Sequence, residues 1–307
     1  MAGRPFLTLP RQLVECVPNF SVGRDAAVAA ALSAAIGEAG ATVLRTDSDG
    51  DHNRSVITFA GSPETVSEAA FRAISLASEL IDLRRHGGVH PRIGATDVVP
   101  FVPLSGITLH DCGQLARTTG ERVWRELHIP VYFYEASALE PSRRRLEVVR
   151  RGQFEAPALL PDLGGPALHP TAGASILGAR RLLAAFNINL DSADIVTARA
   201  IAHKIRASNG GFPGVKAMGV FLASRHLAQV SMNLTNLDAT NPEQVFRAVE
   251  AEAARHGIDI HSTELIGLIP RASVESSPGA FAVCEDFGTH RILEARLAEA
   301  LPYYPRL

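Results

Sequence analysis

The stretch Arg84-Arg85-His86-Gly87-Gly88-Val89-His90-Pro91-Arg92-Ile93-Gly94-Ala95-Thr96-Asp97 gathers two imidazoles, several guanidiniums, a carboxylate and three glycines. Glycines let a backbone approach a ligand, and Pro91 stiffens the turn beside His90. A neutral imidazole takes and returns a proton near pH 7, while a guanidinium such as Arg92 neutralises a carboxylate. The residues alone leave a second reading open, a basic surface loop with a capping Asp. His86 and His90 stand four apart, a spacing that would align them on a helix, but Gly87, Gly88 and Pro91 argue against a helix. The other histidines lack a His-Glu-x-x-His spacing, and Cys16, Cys112 and Cys284 are too dispersed for paired ligands or a disulfide framework. We therefore expect no metal.

This stretch lies between a helix and a strand. Ser62 can cap and Pro63 suits the first helical position, and Val66, Ala69, Ala70, Ala73, Ala77 and Leu80 recur at helical spacing. Residues 98–102 are apolar and β-prone. Upstream, the pattern predicts a strand at 13–17, a turn at 18–21, a helix from about Asp25, a strand at 42–46, a polar loop at 47–53 and a strand at 55–60. A helix at 109–127 and a strand at 131–134 enlarge this first half. The order β-α-β-β-α-β returns downstream, with strands at 182–190, 215–222, 227–234 and 258–268 and helices at 192–208 and from the Asn241-Pro242 cap to about His256. Two such units predict an α+β chain of two ferredoxin-like domains, 1–180 and 181–307, with helices outside and sheets packed face to face. A ligand site is then expected between the domains.

Composition is that of an ordinary globular protein: 307 residues, 46% hydrophobic, 20% charged and a formal net charge of −2. That charge gives no electrostatic reason to propose nucleic acid or an anionic membrane as partner. The first ten residues have no apolar core of signal-peptide length, and no later run is long enough to span a bilayer, so a cytoplasmic location is the expectation. The run Arg143-Arg144-Arg145 with Arg150-Arg151 reads as a solvated helix face. Gly210-Gly211-Phe212-Pro213-Gly214 lacks the ending of a phosphate loop and reads as a turn.

The segment His86–Asp97 resembles the signature of the formimidoyltransferases (formiminotransferases) acting on glutamate and folate. Similar blocks follow in order at Leu13-Val14-Glu15-Cys16-Val17-Pro18-Asn19-Phe20-Ser21, Asn53-Arg54-Ser55-Val56-Ile57-Thr58-Phe59, Ala185-Phe186-Asn187-Ile188-Asn189-Leu190 and Leu227-Ala228-Gln229-Val230-Ser231-Met232-Asn233-Leu234. The resemblance implies transfer of a formimidoyl group from N-formimidoyl-L-glutamate to N5 of tetrahydrofolate, in histidine degradation. Tetrahydrofolate would be a co-substrate. The two domains would be the N-terminal and C-terminal subdomains of the transferase. A chain ending near Leu307 would lack the cyclodeaminase fused in animal relatives, so a separate enzyme would act on the product. A homodimer is compatible with this reading. A folate one-carbon transferase using another donor, such as 5-formyltetrahydrofolate, and a non-catalytic folate-binding protein stay open as alternatives.

The resemblance also implies roles. His90 matches the catalytic histidine, and its ordinary pKa near 6.5 suits proton shuttling. Asp47 would orient or charge-balance the imidazole or the cationic amidine, the alternative being a turn former. Arg54 and Arg92 would grip the carboxylates of glutamate or of the folate tail. Asn19 and Asn53 lie in matching loops, where each could instead be a turn or cap residue. Asn187, Asn189, Gln229 and Asn233 are amides in otherwise apolar strands and must find partners, either a ligand or one another. Gly164-Gly165-Pro166-Ala167-Leu168-His169-Pro170-Thr171-Ala172-Gly173 reads as an interdomain linker from composition and as a folate-binding loop from the resemblance; some family members carry tryptophan where this chain has Ala172.

Overall fold

Alternation along the strands decides which side of each sheet is dry. In β1 (Leu13–Cys16), Val14 and Cys16 face one way and Leu13 and Glu15 the other. The same period runs through β4 (Arg54–Gly61), where Ile57 and Phe59 join Val14 and Cys16 in a buried apolar cluster. The computed structural model describes residues 12–301. The first ten residues, read above for a signal peptide, lie outside the described residues.

The described residues form a mixed α/β chain with a seven-stranded and a four-stranded sheet. The larger holds β1, β2 (Asn19–Phe20), β3 (Thr42–Asp49), β4, β5 (Thr96–Ser105), β6 (Val131–Glu135) and β7 (Ser175–Ala179). β1 and β2 behave as one strand interrupted at Pro18, which has no N–H to give. Both pair antiparallel with β4 and β5, while β5, β7 and β6 run parallel. α1 (Ala26–Glu38), α2 (Pro63–Leu80) and α3 (Leu109–Leu127) pack on the apolar face. Each begins at a capping side chain: Asp25, Ser62 and Thr108 accept from the first-turn amides.

The smaller sheet has the order β11-β8-β10-β9, antiparallel throughout, from β8 (Ala184–Leu190), β9 (Val215–Leu222), β10 (Leu227–Leu234) and β11 (Ile260–Ile266). Phe186, Ile188, Val230 and Met232 pack against α5 (Ile195–Ile205) and α6 (Pro242–Arg255). α4 (Leu146–Val149) is a single turn in the first half, and α7 (Arg271–Glu275), α8 (Pro278–Ala282) and α9 (Leu293–Ala300) close the described chain. No helix among the described residues is long and apolar enough to cross a membrane.

Three expectations change. β3 continues to Asp49, so Asp47 sits on a strand and not in a loop. Its alternating polar side chains lie on a strand with a single sheet partner, β4, a pattern that imitates a loop in sequence. Ser175-Ile176-Leu177-Gly178-Ala179 forms β7, a short buried strand without alternation because both its faces are covered. The run 164–173 therefore precedes a strand of the first sheet and does not join the two halves; residues 180–183 do.

Gly219 on β9 faces α5, where an added Cβ would stand 2.5 Å from the backbone nitrogen of Arg199. Gly219→Ala is expected to destabilise the fold by about 1–3 kcal/mol, since backbone atoms cannot step aside as a flexible side chain can. Gly37→Ala, in open space on α1, is expected to be neutral or stabilising by up to about 1 kcal/mol. Urea unfolding of both variants checks the contrast; equal midpoints would contradict the packing.

Candidate functional site

The polar faces of both sheets line one cavity of about 540 Å3. The larger sheet contributes Glu15, Asn19, Asp47, Asp49, Arg54, Thr58 and Tyr134, and the smaller one Asn187, Lys216, Ser231, Asn233 and Glu264. His52, His90, Arg150, Arg180 and Arg291 also line it, with Glu135, Arg181, Glu285 and Asp286.

The wall around His90 is built on Asp97, at the start of β5 and fully buried. Its Oδ1 accepts from the Ile93 amide at 2.9 Å, and its Oδ2 meets Arg54 Nη1 and Arg150 Nη2, each at 2.8 Å. Arg54 also donates through Nε to Asn19 Oδ1 at 3.0 Å, and Asn19 donates to the Val17 carbonyl. Two guanidiniums on one carboxylate leave a net positive charge at this wall. Arg54 is still cationic at neutral pH, although burial, partly offset by Asp97, brings its pKa down to about 10.

His90 Nδ1 lies 2.8 Å from the Pro91 carbonyl. A carbonyl only accepts, so Nδ1 carries the hydrogen and Nε2 keeps its lone pair. Burial, then the charges of Arg54 and Arg150, hold the His90 pKa well below 6.5, against the pull of the Pro91 carbonyl. The imidazole is a neutral base throughout the neutral range. Beside it, 5.9 Å between ring centres, stands His52. His52 Nε2 lies 3.2 Å from Gln229 Oε1 on the smaller sheet. Because Gln229 Nε2 donates to Asn189 Oδ1 and to Glu264, Oε1 is the accepting end and His52 the donor.

The loop bearing His90 is held by close backbone contact. A Cβ on Gly88 would fall 2.4 Å from the His52 carbonyl oxygen. His86 Nε2 donates to the Asn53 carbonyl at 2.8 Å, Asn53 Nδ2 donates to the Gly87 carbonyl, and Asn53 Oδ1 accepts from the Gly23 amide. Asp51 continues the chain of contacts to the smaller sheet's hairpin, accepting from the Ser224 amide at 3.1 Å.

Of the residues expected at the site, His90, Asp47, Arg54, Asn19, Asn187 and Asn233 line the cavity. Arg92 does not: it pairs in bidentate fashion with Glu155 at 2.6 and 2.8 Å, and its Nε donates to His86 Nδ1. It braces the loop instead of presenting a free guanidinium. Asp47 lines the cavity but makes no hydrogen bond to His90. Its oxygens take Arg45 Nε, Arg291 Nη1 at 2.8 Å and the Gly267 amide at 2.8 Å, which ties β3 to the second half. Asn53 stitches the loops, and Asn189 and Gln229 are buried in their own network with Ser262 and Glu264. Residues 164–173 support the His90 loop from behind, through Leu83 to the Thr171 carbonyl, Ala95 to the Ala172 carbonyl and the paired His169 and Gly173; none lines the cavity, and Ala172 is buried. No group of three or more metal-ligating side chains is placed to hold an ion among the described residues.

Several lining residues escaped the sequence reading, four of them of particular interest. His52 lay in a polar run, and Arg150 in a basic run assigned to solvent, although it follows the apolar pair Val148-Val149 and its side chain is only 12% exposed. Glu15 and Arg180 are the others. A carboxylate centred in the apolar strand Leu13-Val14-Glu15-Cys16-Val17 was a signal available in the sequence.

Two family models match the chain. Residues 13–180 match the family model described as the formiminotransferase domain, N-terminal subdomain, and residues 185–287 the formiminotransferase domain. The chain is 45% identical over 295 residues to a protein of Streptococcus pyogenes serotype M1 named glutamate formimidoyltransferase, covering 93% of this chain and 99% of that one. A protein of the same name from Thermoplasma acidophilum is 40% identical, covering 94% and 98%. The formimidoyltransferase-cyclodeaminase of Rattus norvegicus is 41% identical over 84% of this chain and 50% of its own length.

The hydrogen-bond geometry fixes what nitrogen resonances should report. In 15N-resolved spectra His90 is expected as the neutral Nδ1–H tautomer, still neutral at pH 6, where an ordinary histidine is mostly charged. Titration of His90 at or above pH 6.5 would contradict this environment.

Proposed function

The chain belongs to the formiminotransferase family and is a transferase of the glutamate formimidoyltransferase kind; we propose that the cavity between its sheets is where the group moves from N-formimidoyl-L-glutamate to N5 of tetrahydrofolate. The observation that carries the site is the neutral His90 imidazole, its Nε2 unprotonated, beside the Arg54–Asp97–Arg150 cluster. N5 attacks the amidine carbon, a carbon–nitrogen bond forms, and His90 Nε2 takes the proton that N5 must lose. The imidazolium so formed is a strong acid in this electropositive wall. It returns the proton to the glutamate nitrogen as the second carbon–nitrogen bond breaks and glutamate leaves. One base thus serves both amines.

The net charge of the Arg54–Asp97–Arg150 cluster suits the carboxylates of the donor, while Asp47, Asp49 and Glu264 face the same cavity and suit its cationic amidine. Arg92, Asn53 and residues 164–173 act as positioning elements for the His90 loop. His52 holds the loop against Gln229 of the smaller sheet. We read the halves 1–180 and 181–307 as two ferredoxin-like subdomains with sheets face to face. The antiparallel order of the smaller sheet and the shared cavity support that reading; the larger sheet carries extra strands. The assignment fits a step of histidine degradation in the cytoplasm, with tetrahydrofolate as co-substrate and no metal. A homodimer remains compatible.

Incubation with tetrahydrofolate and N-formimidoylglutamate should release glutamate; release only with a different donor, or folate binding without turnover, would overturn the reaction. His90→Ala is expected to fold and bind folate but to lose roughly a hundredfold or more in turnover. Wild-type turnover in that variant would remove His90 from the chemistry.

Arg150→Met is expected to raise KM for the donor about 10- to 100-fold, equivalent to roughly 1.5–3 kcal/mol, with a smaller change for folate. Equal shifts for both substrates would place Arg150 in support of the fold and not of the carboxylate.

A further inference from the structure

Glu15 is 3% exposed, lines the cavity, and lies on the polar face of β1 opposite Ala60 of β4 and Val102 of β5. Among the described residues neither a hydrogen bond nor an ion pair engages its carboxyl. Two residues along β4 from Ala60, the Thr58 hydroxyl also faces this region, buried and without a partner among the described residues. A carboxyl set in an apolar strand, opening on the cavity and engaged by no donor among the described residues, is placed to meet a ligand. The mechanism above makes no use of it.

Its neighbours describe what would fit. Val17, Pro100, Leu182 and Leu268 give apolar walls, and Arg180 and Tyr134 add a cation and a phenol. Arg180 is the charged side chain that acts on Glu15, while the Cys16 thiol, next along β1, faces the opposite side and packs among apolar residues. A cationic amidine is better served by Asp47, Asp49 and Glu264, which line the same cavity. A flat heterocycle with two adjacent N–H donors and a neighbouring carbonyl matches a carboxyl beside a guanidinium.

We propose that Glu15 anchors the 2-amino-4-oxopyrimidine edge of the pterin, its two oxygens accepting from N3–H and the 2-amino group while Arg180 meets the 4-oxo oxygen. This rests on the reading of tetrahydrofolate as the acceptor substrate and names the subsite that orients it. The anchor sets which face and edge of the ring enter first, and so delivers N5 to the base. Burial pushes the Glu15 pKa from 4.5 up to about 7, partly opposed by Arg180. Only the ionised carboxylate accepts both N–H groups, so the pterin binds best above pH 7 and more weakly as the pH falls below it.

Calorimetry with 5-formyltetrahydrofolate and with p-aminobenzoylglutamate, which lacks the pterin, tests the assignment. Glu15→Gln is expected to weaken the first ligand 10- to 100-fold and leave the second within twofold. In the wild-type protein Kd for 5-formyltetrahydrofolate should rise as pH drops from 7.5 to 5.5, and this slope should vanish in Glu15→Gln. Unchanged folate affinity in Glu15→Gln, or equal losses for both ligands, would overturn the proposal. Should the variant fail to fold, the wild-type protein decides: a 2-desamino folate analogue must bind at least tenfold more weakly than its parent, and equal affinity refutes the anchor. If the wild-type protein binds no folate at all, the function assigned above fails; if it binds folate while the Glu15 comparisons are flat, only the pterin subsite fails.

Discussion

A single buried carboxylate holds the reactive wall together. Asp97 is wholly out of water, and an isolated charge there would be prohibitive. Arg54 comes to it from β4, Arg150 from the end of α4 and the Ile93 amide from the glycine-rich loop, so three separate segments converge on two oxygens. Removing Asp97 would leave two buried guanidiniums facing each other without compensation, a far worse state than removing either arginine. The excess positive charge is also what holds down the His90 pKa after burial itself. Asp97 thus organises the geometry, while burial first and the two guanidiniums second set the basicity.

The facing wall uses a different physics. Asn189, Gln229 and Glu264 form a network in which almost every donor and acceptor is matched, and Arg225 and Ser262 extend it to Glu285. A buried network satisfied in this way is rigid, because any side-chain rotation strands a polar atom. His52 and Asp51 fasten the loops of the first half to this wall, and Asp47 does so elsewhere through Gly267 and Arg291. The cavity is bounded by contacts that cross it at separate places, so loosening one half of the chain would disturb the geometry of its lining.

What the sequence disclosed followed from local rules. The caps at Ser62 and Asn241, the helix start near Asp25 and the apolar strands at 182–190 and 227–234 depend on near neighbours, and helices and strands appear where those signals stand. His90 was legible from its glycine-rich setting together with the family resemblance. The destinations of long side chains were not. Arg92 and Arg150 are alike in sequence, each in a basic run, yet one braces Glu155 and the other reaches the cavity. Only the path of the chain between residues 97 and 155 distinguishes them. Asp47 was misplaced for a related reason, since a strand that turns polar side chains toward a wet cavity has the composition of a loop.

Glu15 and His90 also pull stability in opposite directions with pH. Between pH 4.5 and about 7 the folded chain keeps a proton on Glu15 that the unfolded chain has released, so its contribution is present at low pH and drains as pH rises through 7. The folded chain keeps His90 neutral where the unfolded chain would protonate, so that contribution is present above 6.5 and drains as pH falls. The two slopes oppose each other in the same window, and a stability curve alone would hide both. Near neutral pH the fold therefore carries an incompletely ionised carboxyl that no donor among the described residues engages. Any ligand that binds the folded chain at this carboxyl would stabilise the fold by mass action, most strongly at the pH where the carboxyl is ionised.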